Sequence, residues 1–418
     1  MSKKYQAPRG THDVLPSDSP VWQFVEKTFA DHVSLFGYEE VRTPMFEDVE
    51  LFVRSSGETS DIVSKEMYDF VDKGGRHIAL KPEETAPAVR AYVEHSLGQP
   101  GQVTRLRYCT PIFRYERPQK GRFRQSHQVG LELIGSPSPA ADAEVIEITV
   151  GFYQKLGLKN ISVVLNCIGR GEARQNYCNA VLAHVDSWLQ SQDEDGRAKA
   201  HKNPLRLLDT KDPDLRAVLE GVPTIAEFLS DESKAHFEEV KRHLDLAGVA
   251  YEYRPSLVRG LDYYTDTVFE VQTDALGAQN ALCGGGRYDW LVRELGGADT
   301  PSVGVAMGIE RAIMVMKEQG APLSTAQPPL FLVAATEGAV AEVAGLAREL
   351  RRSGIAILTD LDGKGLKQQM KQADRAGSRL ALILGDEEIA NGTVTIKDLQ
   401  AGTQRVVERA VLLEELRV

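Results

Sequence analysis

Four cysteines in 418 residues, at positions 109, 167, 178 and 283, are too few and too scattered to make a C-x-x-C pair, and the nine histidines include no H-E-x-x-H. Neither structural zinc nor a disulfide framework is therefore expected. No apolar run approaches the ~20 residues that span a bilayer. The opening MSKKYQAPRGTHD lacks the apolar centre of a signal peptide, so a cytoplasmic protein without a membrane segment is expected. The phosphate loop G-x-x-x-x-G-K-S/T is missing, and GGGR is too short for a dinucleotide fingerprint and lacks its strand, turn and helix setting. A net charge of −11 argues against nucleic-acid binding driven by overall charge.

Basic charge is present, but in two places. Between Arg105 and Arg124 stand seven basic residues and one acid, Glu116. Lys364, Lys367, Lys371, Arg375 and Arg379 fall at spacings of three and four, so one helix face carries most of them. An acidic protein with two local basic patches points to a specific polyanion.

The length leaves room for two or three domains. Ser19 before Pro20 predicts an N-cap with proline in the first turn, and Trp22, Val25, Phe29, Val33 and Phe36 repeat at helical spacing until Gly37. YEEVRTP then predicts a short strand stopped by Pro44, suited to a sheet edge or an interface. Residues 105–134 predict a hairpin with the tip RPQKG, 117–121. From about 170 to 250 the chain is charged, with helical spacing broken by GVP at 221–223, which predicts a helical insertion. Strands return from RGLDYYTD (259–266) through an expected glycine turn GGGRYD (284–289) to SVGVAMG (302–308), with a helix from Ile309. After the linker QGAPLSTAQPP, strands and helices alternate. The expected architecture is an α/β and α+β multidomain protein. Residues 1–325 form an antiparallel sheet flanked by helices with the insertion at 170–250, and residues 326–418 form a smaller α/β domain.

Three arginines need explaining. With a five-residue tip, Arg114 lies across from Arg124, and like charges directly opposite are destabilising unless an anion sits between them. Arg311 falls in the first turn of a helix, the end whose dipole already favours negative charge; a capping or solvated arginine is the plainer alternative. Arg259 precedes Gly260, which permits close backbone approach. If ATP is the ligand, arginines rather than a glycine loop hold its phosphates. On the second hairpin strand the even positions from Arg122 to Glu132 form a polar face broken by Gly130, with Gln128 and Glu132 pointing the same way ~13 Å apart. A solvated sheet face is the alternative there.

RGTHDVLP with its helix, strand and Pro44, FRYERPQKGRFRQSHQ, and GVAMGIERAI resemble the three motifs of class II aminoacyl-tRNA synthetases. LVRGLDYYTDTVFE and CGGGRYDWLV resemble the two signatures of the histidine-specific family among them, and the resemblance runs from residue 9 to the end. It implies a class II antiparallel sheet, a C-terminal anticodon-binding α/β domain and a homodimer built on the first motif. The implied reaction takes L-histidine and ATP, with Mg2+, to histidyl adenylate and pyrophosphate, then passes histidine to the 3′ end of histidine tRNA. Arg114 and Arg311 match the motif arginines at the α and γ phosphates of ATP, and Arg259 matches the family's catalytic arginine at the α-phosphate. Glu83, Thr85 and Gln128 match residues around the amino acid's α-amino and carboxylate groups. Glu132, Tyr263 and Tyr264 match the side-chain pocket, with Tyr288 beside it, and Arg117 and Gln119 match the loop that touches the tRNA acceptor end.

Elementary chemistry agrees with the pocket. Neutral imidazole offers one donor and one acceptor nitrogen. Glu132 is suited to take the N–H, the Tyr264 hydroxyl to donate to the other nitrogen, and Gly130 to leave room for the ring. Two positions depart from the family's pattern. KPEETA stands where R-P-E-x-T with a small x is common, so Glu84 adds a carboxylate for which Lys81 is the candidate partner, and Ser126 stands where an aromatic is frequent. Asp262 and Asp266 are expected to brace the arginine or the loop. One rival is a non-catalytic, histidine-sensing regulatory paralogue of a histidine-biosynthetic phosphoribosyltransferase; such paralogues generally lose the arginines and the C-terminal domain, which are present here. Another, an ATP-binding RNA-interaction protein, leaves Glu132 and Tyr264 unexplained.

Overall fold

A computed structural model describes the chain apart from residues 1–4, 58–59, 100, 118, 120, 211, 277–279, 322–327 and 417–418, and apart from the side chain of residue 209. It divides into two compact units, residues 1–324 and 325–418. The border expected at 325/326 lies outside the described residues, as do residues 118 and 120 of the expected hairpin tip.

The strands of the first unit are β1 (Glu39–Glu40), β2 (Phe46–Asp48), β3 (Tyr68–Val71), β4 (His77–Leu80), β5 (Thr104–Phe113), β6 (Gln125–Ile134), β7 (Ile161–Cys167), β8 (Tyr251–Tyr253), β9 (Thr265–Thr273), β10 (Ala281–Arg287) and β11 (Ser302–Gly308). Eight form one sheet in the order β1-β5-β6-β11-β10-β9-β7-β8, and β2-β4-β3 form a second, antiparallel one. The large sheet is antiparallel from β5 to β7; its outer pairs, β1 with β5 and β7 with β8, are parallel.

Alternation along β6 decides what each face does. Val129, Leu131 and Leu133 enter the main core with Trp22, Val25 and Phe29 of the helix Ser19–Ser34 and Val145, Ile148 and Phe152 of the helix Pro139–Lys155. Each buried aliphatic or aromatic side chain there contributes ~1.5–3 kcal/mol. That leaves Gln128, Gly130 and Glu132 for the other face.

Several local expectations change. Asp18, not Ser19, is the N-cap residue of the first helix, because the Ser19 hydroxyl turns back to the Leu15 carbonyl at 3.1 Å; Pro20 does stand in the first turn. The strand expected over YEEVRTP shrinks to β1 at the sheet edge. In the hairpin, Arg114 does face Arg124, with the Arg114 N–H donating to the Arg124 carbonyl at 2.9 Å, but β6 begins only at Gln125.

The largest revision is at GGGRYD. Gly284, Gly285 and Gly286 are not a turn but the middle of β10. A Cβ on Gly284 would strike the Arg259 guanidinium, one on Gly285 the Gly304 carbonyl and the Phe269 ring, and one on Gly286 the Thr267 carbonyl. Glycine is used here for close approach within a sheet, not for reversal. Between β7 and β8 the insertion supplies the helices Gly171–His184, Asp186–Ser191, Glu194–Lys202, Pro213–Val218 and Asp231–Leu246.

The second unit has its own core, with Leu332, Leu346, Leu350, Leu382 and Val394 buried together. Its strands are β12 (Leu330–Ala334), β13 (Ile357–Thr359), β14 (Leu380–Leu384), β15 (Thr393–Asp398) and β16 (Gln404–Glu408), in the order β13-β12-β14-β15-β16. The first three are parallel and the last two add antiparallel. The basic run lies on the helix Leu366–Arg375, where Lys367, Lys371 and Arg375 are exposed; Lys364 precedes the helix and pairs with Asp362. No helix among the described residues is long and apolar enough to cross a membrane.

Candidate active site

Of the β6 residues left out of the core, Gln128, with Ser126 further along the strand, lines a cavity of about 760 Å³. One end of it is cationic. Arg114, Arg259 and Arg311 all reach its wall, from the end of β5, the loop before β9 and the helix Ile309–Glu318 respectively. Arg114 Nε donates to the Pro82 carbonyl at 2.8 Å, and its nearest carboxylate oxygen, on Glu116, is 4.0 Å away. Arg311 sits in the first helical turn, as expected, and donates to two carbonyls, those of Gly121 at 3.2 Å and Ala281 at 2.5 Å. Burial, with Arg122 nearby, lowers its pKa, so it is a desolvated cation that makes no ion pair among the described residues. Such a group calls for an anion. Arg259 is different. It pairs with Glu270, whose charge outweighs burial and raises the arginine's pKa, while its Nε has no partner.

Arg124 does not join them. Its guanidinium lies 3.8 Å from the centroid of the Tyr115 ring, and its Nε reaches the Glu116 carbonyl at 3.4 Å. The Arg124 cation is thus turned onto an aromatic ring, and Arg124 does not line the cavity as Arg114 does.

The other end is a buried carboxylate among hydroxyls. Glu132 is wholly buried and stands behind the cavity wall rather than in it. Its Oε1 accepts from the Thr85 hydroxyl at 2.8 Å and the Tyr108 hydroxyl at 3.2 Å, and its Oε2 accepts from Tyr288. Burial outweighs these bonds and pushes its pKa up to about 8. Thr85, Tyr263, Tyr264 and Tyr288 do line the wall, with the Tyr263 and Tyr264 ring centroids 4.8 Å apart. Glu83 lines it too; its carboxylate closes on the N–H groups of Thr85 at 2.7 Å and Ala86 at 3.0 Å, and burial pushes its pKa up to about 7. Between the two ends, Gln128 presents a buried Oε1 with no hydrogen-bond partner. Arg117 and Gln119 are exposed on the β5–β6 connection and do not line the cavity.

The glycines are used differently from expectation. A Cβ on Gly130 would strike the Tyr108 ring, so Gly130 makes room for that tyrosine and not for a ligand ring. Gly260 approaches Arg206 of the insertion, whose Nη2 donates to the Gly260 carbonyl at 3.0 Å. The two aspartates brace the loop, but against the insertion. Asp262 accepts from Asn203 at 3.1 Å. Asp266, with φ of +46°, is held by Arg170 at 3.0 Å and Ser233 at 2.7 Å. Such a backbone costs ~1–3 kcal/mol and persists only where neighbours over-determine it. Glu270, not either aspartate, partners Arg259.

Sequence reasoning missed Tyr108, Glu270 and Gly304. Gly304 faces Glu132 across the β6–β11 ladder, where any Cβ would meet the carboxylate. The available signals were a lone acid inside the apolar run VFEV and a glycine in mid-strand at SVGVAMG. The two ends together suit an elongated ligand with a polyanion at one end and a small hydrogen-bonding group at the other.

Comparison with known proteins agrees. Residues 10–312 match the family model for histidyl-tRNA synthetase, and residues 314–418 match that for an anticodon-binding domain. The histidine–tRNA ligase of Thermosynechococcus vestitus is 46% identical over 412 residues, covering 98% of this chain and 96% of that one. That of Halothermothrix orenii is 44% identical and covers 99% of both. The crystal structure of apo S. aureus histidyl-tRNA synthetase superposes with a TM-score of 0.83 at 37% identity, covering 99% of each chain. A Bacillus halodurans protein described as an ATP phosphoribosyltransferase regulatory subunit/histidyl-tRNA synthetase shares the fold, at 23% identity and a TM-score of 0.66 over 92% of this chain and all of that one. By family model, by near full-length identity and by fold, the chain belongs to the histidyl-tRNA synthetase family.

Proposed function

We propose that this chain charges histidine tRNA with L-histidine in two steps. An oxygen of the histidine carboxylate attacks the α-phosphorus of ATP, forming the P–O bond of histidyl adenylate as the bond to pyrophosphate breaks. A ribose hydroxyl at the 3′ end of the tRNA then attacks the activated carbonyl and loses its proton, and AMP leaves. The observation that carries this reading is one cavity with three arginines at one end and, just behind the wall of the other, a hydroxyl-ringed carboxylate.

Positioning and charge stabilisation dominate such chemistry. Arg114 and Arg259 hold the charge that grows on the α-phosphate, and Arg311, short of an anion, takes the γ-phosphate. Glu83 faces the α-amino group and the unpartnered Gln128 the substrate's polar backbone atoms. An imidazole N–H that displaces the Thr85 or Tyr288 hydroxyl finds Glu132 behind it, and Tyr264 donates to the ring's other nitrogen. A site built on such bonds rejects analogues lacking them by about 10⁴-fold or more.

Mg2+ is a hard ion that binds through one or two carboxylates and the substrate's phosphates. Glu270, which pairs with Arg259, and Glu310, which accepts from the His127 N–H, are the wall carboxylates at the arginine end that would hold it, and it would supply positive charge to the phosphates. The exposed Arg117 and Gln119 are open to the tRNA acceptor end, and the basic helix of the second unit to its anticodon arm. The exposed Met45, Phe46, Phe70 and Val71, on and beside the small sheet, support burial against a second copy in a homodimer.

Charging of total tRNA with each labelled amino acid in turn tests the function. Label is expected on tRNA with histidine only; charging with a different amino acid, or none with histidine, overturns it.

A further inference from the structure

The five residues 81–85 meet three parts of the site. The Pro82 carbonyl accepts from Arg114, the Glu83 carboxylate caps the helix Thr85–Glu94, and the Thr85 hydroxyl donates to Glu132. The two remaining side chains, Lys81 and Glu84, line no part of the cavity. Both are fully buried and pair at 2.7 Å. Both also engage Thr43, a buried residue of the edge segment after β1. Lys81 Nζ donates to Thr43 Oγ1 at 3.0 Å, and Thr43 Oγ1 donates to Glu84 Oε1 at 2.7 Å. The backbone follows the same route, with the Lys81 N–H on the Met45 carbonyl at 3.1 Å and the Phe113 N–H on the Lys81 carbonyl at 2.9 Å.

A buried ion pair is weak evidence of stability, since apolar residues of similar volume often replace it without loss. What this pair supplies is shape. Its members stand three residues apart and bridge the turn that carries Glu83, with Thr43 bonded to both.

We propose that Lys81 and Glu84 are positioning residues for histidine binding, their ion pair on Thr43 fixing the turn that presents Glu83 and Thr85 to the substrate. This rests on the roles given above to Glu83 and Thr85. It places the determinant of histidine affinity partly in the edge segment, outside the cavity.

The test is the full-length double variant K81M/E84M in histidine-dependent ATP–pyrophosphate exchange, with thermal melting alongside. The melting temperature is expected to stay near that of the parent, while KM for histidine rises about tenfold and KM for ATP and kcat hold within about twofold, the signature of lost substrate positioning. An unchanged histidine KM in a folded variant overturns the proposal, and so do equal changes in both KM values, which mean a structural role only. Should the double variant fail to fold, Thr43→Val removes the shared hydroxyl alone and is expected to raise the histidine KM about threefold with ATP unaffected; no rise overturns the proposal. Absence of exchange in the parent protein would fail the functional reading itself, whereas an active parent with indifferent variants fails only the role of the pair.

Discussion

Glu132 illustrates how a single side chain couples burial to function. Three hydroxyls donate to it, yet burial holds its pKa at about 8, so near neutrality most molecules carry a proton at the group to which the proposed function assigns the ligand N–H. The ionised form is the better acceptor, so kcat/KM for histidine in pyrophosphate exchange is expected to rise as pH climbs through about 8, beyond the rise from imidazole's own titration near ~6.5. Glu132→Gln keeps the shape but not the titration. It should flatten the upper rise and lower kcat/KM at pH 8 by about 10- to 100-fold, the loss of one hydrogen bond to a charged group. A parent profile already flat above pH 7, or a variant that keeps the upper rise, would contradict this account. Residue by residue, the candidates whose spacing a motif fixed, such as Arg114, Gln128 and Arg311, do reach the cavity wall. The glycines were not legible in the sequence: Gly130, Gly260 and Gly284 each clear a protein side chain, Tyr108, Arg206 and Arg259 in turn, and that side chain comes from a segment that is not the glycine's neighbour in sequence.

Between elements, charge closes the gaps that apolar packing leaves. Arg287, at the end of β10 and next to Tyr288, is almost fully buried against Asp142 of the helix Pro139–Lys155. Its Nε also reaches both Asp142 oxygens at 3.2 Å, and His236 of the helix Asp231–Leu246 stands 3.4 Å from the same carboxylate. Burial alone would raise the Asp142 pKa, but Arg287 and His236 outweigh it and hold it at about 2. A depressed carboxylate contributes stability that is present above its unfolded value of 3.8 and is lost as pH falls through about 2. Arg287→Met strands that charge and should cost about 3–5 kcal/mol, read at neutral pH as an earlier urea transition of the catalytic unit. Adding Asp142→Asn should recover part of it; a single variant with the parent's midpoint would show that the pair contributes nothing. None of this network was visible in the sequence, because Asp142, His236 and Arg287 are brought together only by the packing of two helices, distant in sequence, against each other and the end of β10. What the sequence did carry at this scale was periodicity, which placed β6, β11 and the helix after it. It failed at GGGRYD because glycine suggests a turn by local preference, and the cross-strand neighbours that make β10 a strand are not local.

At the scale of the whole chain, two units with separate cores divide two kinds of recognition. The first unit contains the entire cavity, and every residue given a role in adenylate formation lies within it. The second matches the anticodon-binding family and exposes Lys367, Lys371 and Arg375 along one helix. A tRNA held at both ends gains affinity through effective concentration, typically 10²–10⁴-fold over one contact alone. Removing residues 326–418 is therefore expected to lower kcat/KM for tRNA in charging by about 10²-fold or more, while histidine-dependent pyrophosphate exchange, which needs no tRNA, stays within about threefold of the parent. The lost part should also be the salt-sensitive part, since each phosphate contact released adds to the dependence of binding on ionic strength. Charging by the full chain should thus weaken more steeply between low and physiological salt than charging by the truncated one. Equal losses in exchange and charging would place the second unit in the adenylation step and overturn this division. Parallel salt slopes in the two proteins would move the tRNA's main electrostatic contact onto the first unit, to the arginines of the β5–β6 connection.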